Sequence, residues 1–380
     1  MSWSYRRASL FGLIALVAVS LHTLDAQKPS DDRVLKLNQI QVIGTHNSYH
    51  AGIAASESKL WQAKHAEDYK GLDYRHKPLT EQLESGVRQI ELDIFADSKG
   101  GLYAHPAGPR MVAEAQLPPD PDFDPNGLMA KPGFKVMHVQ DIDYRSNCQP
   151  FTECLRQVRD WSHAHPGHIP IFILVETKEH DPDDAQLHLT EPEPFTPSVF
   201  DALDAEIRSV FSASEMIVPD DIRGHYRTLN EAVLAGNWPT LASARGKVVF
   251  LLDQRPAGPR YLAGHPSLRG RILFTNATPG EPDAAFIERN EGPAEEIAAL
   301  VRQGYLIRAR TDAETKAARI NDTTTRDQMM ASGAQLLSTD YPVSEPARWP
   351  GHYFVALPGN VDARCNPVNA PSTCSAESLK

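Results

Sequence analysis

Three things are scarce in this chain of 380 residues, and each scarcity closes off a class of function. Positive charge is the first. Lys and Arg number 38 against 49 Asp and Glu, a formal net charge of −11. That is the wrong sign for following a nucleic-acid backbone, or for adhering to an anionic membrane through charge alone. Long apolar runs are the second. One stretch, residues 10–21, is mostly apolar, and its length falls short of the roughly 20 residues a spanning helix needs. Cysteine is the third: there are four, and neither neighbouring pair has the closer spacing of a four-thiolate zinc site. Internal repeats are not evident either.

What is present fits an exported globular protein. Arg6 and Arg7 precede the apolar run and Ala26 offers a small residue for cleavage, so residues 1–26 read as a secretory leader. The mature chain is expected to be secreted or periplasmic, without an integral membrane segment. Cys148 and Cys154 lie six apart and Cys365 and Cys374 nine apart, which predicts two local disulfides suited to an oxidising compartment. With 41% hydrophobic and 23% charged residues the composition is that of an ordinary globular core. Thirty prolines point to many loops on a large scaffold.

Apolar and helical periodicities alternate along most of the chain. Strands are expected at residues 40–44, 87–95 (VRQIELDIF), 101–105, 134–139 (FKVMHV), 169–175 (IPIFILV), 247–252, 271–275, 306–310 and 335–339. Between them, 78–86, 154–163, 200–211, 294–303 and 323–332 read as helices. About eight strands separated by helices favour a closed parallel barrel over an open sheet, so the predicted fold class is α/β, a (β/α)8 TIM-type barrel. The expected organisation is leader 1–26, one catalytic domain 27–345 and a disulfide-stapled tail 346–380. Residues 51–77 and 106–133 read as insertions near the barrel mouth.

The unusual residues fall where such strands end. His46 and Asn47 follow the first. Glu91 and Asp93 stand two apart on the second, so both point to one face of the pleat. His138 closes FKVMHV, Glu176 ends the most apolar strand, and Asp340 ends the last. Asn47, Glu91, Asp93 and Glu176 offer only oxygen ligands, the preference of a hard cation such as Ca2+. Two histidines are then free for proton transfer near neutral pH. Each residue taken singly has a bland reading, a solvated strand end or a satisfied core histidine. Their coincidence at predicted strand ends is what carries weight.

These residues resemble a known family. Gly44-Thr45-His46-Asn47-Ser48-Tyr49 is similar to the His-Asn motif of phosphoinositide-specific phospholipases C. Ile90-Glu91-Leu92-Asp93, and the strand ending at Glu176, resemble the ligand-bearing strands of the calcium-dependent members. The segment His138 to Tyr144 ahead of Cys148, and Ser338-Thr339-Asp340-Tyr341-Pro342, also look like the secreted bacterial-type group. The resemblance implies Ca2+ held by Asn47, Glu91, Asp93 and Glu176, and an acid–base pair of His46 and His138. It implies attack by the inositol 2-hydroxyl on phosphorus, with diacylglycerol leaving and a cyclic inositol phosphate forming.

His105, twelve residues past Asp93, is a second candidate for the later histidine. Lys178, Arg308 and Arg310 are candidates for binding substrate phosphate. The expected partner is a phospholipid at a membrane or micelle surface, met by a monomer. Two other functions compete. A glycerophosphodiester phosphodiesterase typically carries His-Arg after its first strand, where this chain has His46-Asn47. A non-catalytic, calcium-stabilised lipid- or sugar-binding barrel would need the acids but neither imidazole.

Overall fold

The computed structural model describes residues 31–179 and 189–375, with Met1 and Leu379; the expected leader lies outside them. Among the described residues ten strands form: β1 (Ile40–Thr45), β2 (Gln89–Phe95), β3 (Lys135–Val136), β4 (Ile171–Thr177), β5 (Val248–Leu252), β6 (Phe274–Thr275), β7 (Phe286–Glu288), β8 (Leu306–Arg310), β9 (Leu336–Thr339) and β10 (Ala363–Cys365). Eight of them run in the order β6-β5-β4-β2-β1-β9-β8-β7, and those pairings are parallel. The two ends of that order meet at a parallel bridge, Asn276 to Phe286, which nearly closes the barrel. The expected α/β barrel is therefore the observed one.

The most apolar run makes β4, where Ile171 to Val175 are buried whether they face the barrel interior or the helices outside. Burial on both faces is what a continuous apolar strand requires. Helices Phe151–Ala164, Pro197–Val210, Ala294–Gln303 and Thr324–Ser332 lie close to their expected spans. The first turns Leu155, Val158 and Trp161 to the core, as its spacing implies. Gly44 of β1 is a packing requirement: a Cβ there would stand 2.1 Å from Gln89 Oε1, and Gly44–Gln89 is the register pair joining β1 to β2.

Three strand expectations need correction. Residues 101–105 form no strand, because Gly100 and Gly101 take φ of 80° and 85°, a left-handed turn that extended pairing cannot continue. The FKVMHV segment shrinks to β3, which runs antiparallel to the end of β2 through Ile94–Val136 and Phe95–Lys135. It is a flap on the rim and not a stave of the barrel, so His138 does not end a parallel strand. The missing stave is β7, whose three residues are too few for alternation to reveal.

Both local disulfides form, Cys148–Cys154 and Cys365–Cys374. The second staples the segment around β10, which pairs antiparallel with the first half of β1, Ile40 to Cys365 and Val42 to Ala363. Among the described residues, no helix is long and apolar enough to cross a membrane.

Candidate active site

The expected oxygen ligands arrive by strand register. Asp93 on β2 and Glu176 on β4 are direct register partners, so their carboxylates stand side by side. Glu91 lies two residues earlier on the same face of β2. Asn47 comes from the turn after β1, with φ of 46°, a left-handed value that asparagine tolerates better than most residues. That turn is stitched to β2 by two bonds. Ser48 N–H donates to the Glu91 carbonyl at 3.0 Å, and Glu91 N–H donates to Ser48 Oγ at 2.8 Å.

The bonding of this group fits a bound cation. Asn47 donates its amide to Tyr74 Oη at 2.8 Å, leaving Oδ1 buried without a hydrogen bond. Asp93 Oδ1 is likewise buried without one. Orphaned buried acceptors are costly unless something positive meets them. One ammonium does part of that work: Lys178 Nζ is 2.9 Å from Asp93 Oδ2 and 2.7 Å from Glu176 Oε1. Glu91, Glu176 and Asp253 each bring an oxygen within 4.8 Å of the others. An all-oxygen set of this charge suits Ca2+.

The electrostatics agree. Burial, opposed by Arg308, raises the Glu91 carboxyl to about 7. Burial and then the neighbouring Glu176 push Asp93 well above the usual carboxylate range. Burial works the same way on Glu176, but the Lys178 ammonium outweighs it and the group is lowered. Such crowding of acids is expensive without a divalent ion. Arg308, buried, supplies a second internal counter-charge by pairing with Glu91 and with Glu288 on β7.

Two imidazoles flank the acids. His46 follows β1 and Asp340 follows β9, and because Thr45 and Thr339 are in register the two meet, His46 Nδ1 to Asp340 Oδ1 at 2.8 Å. His138 donates from Nδ1 to Asp143 Oδ2 at 2.8 Å, across a tight hairpin closed by Val139 and Asp143. Each dyad leaves Nε2 as the ring atom available to a substrate. Burial lowers the His46 pKa well below its usual value, with Arg310 and Arg308 adding to it. Burial also lowers His138, against the pull of Asp143. Both imidazoles are thus biased toward the neutral form that can take a proton.

His46, His138, Asp340 and Arg310 line one cavity of about 900 Å3, together with Tyr74 and Lys70. His105 lines a different cavity, of about 690 Å3, walled by Pro106, Pro109, Pro121 and Phe123. Neither His46 nor His138 reaches that space. Among the three cations expected at substrate, Arg310 lines the larger cavity, while Lys178 and Arg308 turn to the acids.

Several site residues escaped the sequence reading. Asp253 directly follows β5, so its strand-end position was a usable signal. Glu288 sits on the three-residue strand that periodicity missed. Tyr74, in the polar insertion, carries no local mark. His50, just past the turn that carries Asn47, is fully buried and bonded to Asp143.

The sequence model of the family described as phosphoinositide phospholipase C, Ca2+-dependent, matches residues 35–367. No curated protein matches the chain. Among solved structures, a calcium-dependent phosphoinositol-specific phospholipase C from a Gram-negative Pseudomonas species, in apo form, has 17% identity and a TM-score of 0.51. The match covers 89% of this chain and 97% of that one. Another crystal form of it gives 16% identity, the same coverage and a TM-score of 0.50. At such identities these structures speak for a shared fold. A Ca2+-dependent phosphatidylinositol-specific phospholipase C from Streptomyces antibioticus is 20% identical over 80% of this chain and 95% of that one, with a TM-score of 0.48. With the family model spanning the barrel from before β1 to beyond β10, the chain belongs to the Ca2+-dependent phosphoinositide phospholipase C family, a family of phosphodiester hydrolases.

Proposed function

We propose that this protein cleaves phosphatidylinositol-type lipids to diacylglycerol and a cyclic inositol phosphate, with His46 and His138 as the proton-transfer pair. One observation carries the reading. Two imidazoles, each oriented through Nδ1 by a carboxylate at 2.8 Å, line the same cavity beside an all-oxygen cation site. One imidazole takes the proton of the inositol 2-hydroxyl as its oxygen forms a bond to phosphorus. The phosphorus–glycerol oxygen bond breaks, and the other imidazole protonates the departing alkoxide. Arg310 lies where it can meet the phosphate. Asn47, Glu91, Asp93 and Glu176 hold the metal. Bound there, Ca2+ supplies positive charge to a nonbridging phosphate oxygen or to the attacking hydroxyl.

Outside the cytoplasm is the proposed place of action, on the strength of the leader-like N-terminal sequence and the two disulfides. The domain reading is a leader at 1–26, a catalytic barrel at 27–345 and a tail at 346–380, with the enzyme working as a monomer on a lipid surface.

The test uses purified protein with phosphatidylinositol vesicles and with glycerophosphoinositol, each with Ca2+ or with a chelator. Phosphorus NMR should show a cyclic phosphate appearing first from the lipid, and chelation should abolish turnover. Full activity in chelator overturns the metal assignment. An acyclic product from the earliest time points overturns the intramolecular step.

A further inference from the structure

His50 is a buried titratable group that neither the proposed metal site nor the proposed proton-transfer pair uses. Its ring is fully buried, and Nε2 lies 2.9 Å from both oxygens of Asp143, the carboxylate that orients His138. The surrounding backbone makes this contact a built one. Residues 49–51 lie alongside 145–147: Asn147 N–H donates to the Tyr49 carbonyl at 2.7 Å, Ala51 N–H to the Arg145 carbonyl at 3.3 Å, and His50 bridges to Ser146. His50 N–H also returns to the Asn47 carbonyl at 2.8 Å, inside the turn that carries His46 and Asn47. The Tyr74 ring packs on the imidazole at 4.6 Å, and the His138 ring stands 6.0 Å away, edge on.

Through these contacts one residue joins the turn after β1, which is part of the barrel, to the hairpin that holds His138, which is not. We propose that His50 is a positioning residue for His138. By donating Nε2–H to Asp143, it fixes that carboxylate against the barrel, and Asp143 in turn fixes the ring plane and tautomer of His138. Without it, Asp143 would hang from a short hairpin beyond the rim and be free to take other rotamers. The donation also shares out the carboxylate's charge. Burial opposes a charge on His50, but Asp143 overrides it and raises the imidazole, so the buried anion has a partner on each side. Two imidazoles together hold Asp143 well below the usual carboxylate range despite its burial.

This inference rests on the proposed role of His138, and the experiment separates the two. Steady-state kinetics on phosphatidylinositol would be measured for His50→Phe, which fills the ring's space without a donor, and for His50→Gln, which keeps an amide donor at similar reach. Ca2+ affinity is followed by calorimetry in every variant. His50→Phe should lower kcat about 10- to 100-fold, the range for losing a supporting partner of a site residue. KM and Ca2+ affinity should stay within about twofold. His50→Gln should recover most of the loss. In an Asp143→Asn background, His50→Phe should cost nothing further, since it acts only through that carboxylate.

Wild-type kcat in His50→Phe, or an equal loss added on top of Asp143→Asn, overturns the inference. A His50→Gln variant as impaired as Phe also overturns it, because ring packing and not donation would then be at work. If the Phe variant does not fold, proton NMR of the unsubstituted enzyme decides. Two protected imidazole N–H signals should both move in Asp143→Asn, and movement of one alone overturns the inference. An active His138→Ala would instead sink the role proposed for His138, whatever His50 does.

Discussion

His46 and His138 each commit Nδ1 to a carboxylate at 2.8 Å, but the carboxylates are held in unlike ways. Asp340 ends a barrel strand, its N–H donates to Asp312 at 2.9 Å, and the Arg310 guanidinium lies 3.3 Å from Oδ2. Asp143 sits in a hairpin outside the barrel and is met by the His50 imidazole. A guanidinium keeps its charge at any pH a protein survives, whereas an imidazole titrates. The first dyad is therefore set by strand register and a fixed charge. The second depends on a rim element being tied down. Their equal distances conceal unequal rigidity.

The largest effect should not distinguish them. His46→Ala and His138→Ala each remove a proposed proton-transfer group, and each should lower kcat by about 100- to 10,000-fold, the usual range for general acid–base groups. Ca2+ affinity, read by calorimetry, should change little in either. An alanine variant within tenfold of the parent would remove that histidine from the chemistry and end the comparison.

The carboxylates come next and should begin to separate the dyads. Asp143→Asn and Asp340→Asn keep the shape while removing the charge that selects the productive tautomer, and each should cost about 100-fold in kcat. Thermal melting supplies the contrast. Asp340 shares its site with Arg310, so Asp340→Asn leaves that guanidinium only the Asp312 carbonyl at 3.0 Å and the Asp312 carboxylate at 3.9 Å, and should lower stability by about 1–3 kcal/mol. Asp143→Asn leaves His138, already biased toward the neutral form, and His50, which can shed its proton, and this limits the loss. Equal melting shifts would mean that the two dyads are supported alike.

The same contrast explains what could be read in the sequence. Barrel-borne parts announced themselves: Glu91 and Asp93 by their two-residue spacing, Glu176 by following a continuous apolar run, and Asp340 by ending the last strand. Register then put Asp93 beside Glu176 and His46 beside Asp340. Rim-borne parts gave no such sign. His138 reads as the end of a stave, the wrong kind of element, because FKVMHV is apolar and β-prone like one and its antiparallel pairing is a tertiary fact. His50 carries no local mark because its burial comes from the pairing of 49–51 with 145–147, nearly a hundred residues away. Glu288 was lost with a strand of three residues, where a period of two has no room to show.

The two disulfides offer the smallest and cleanest test of the comparison. Each closes a short loop, six residues from Cys148 to Cys154 and nine from Cys365 to Cys374. On chain entropy alone, each should contribute about 2–3 kcal/mol to stability. Replacing either pair with alanines should therefore lower the melting temperature by similar amounts. Activity well below the melting point should tell them apart. Cys148 directly follows the 145–147 segment that pairs with 49–51, so its loss loosens the seat of His138 and should reduce kcat severalfold. Cys365 lies on β10, paired with the start of β1 at Ile40, the end of that strand remote from His46. Its removal should leave kcat unchanged. Equal kcat in the two double-alanine variants would show that the rim dyad is as firmly held as the one in the barrel, and that its position outside the staves has no functional consequence.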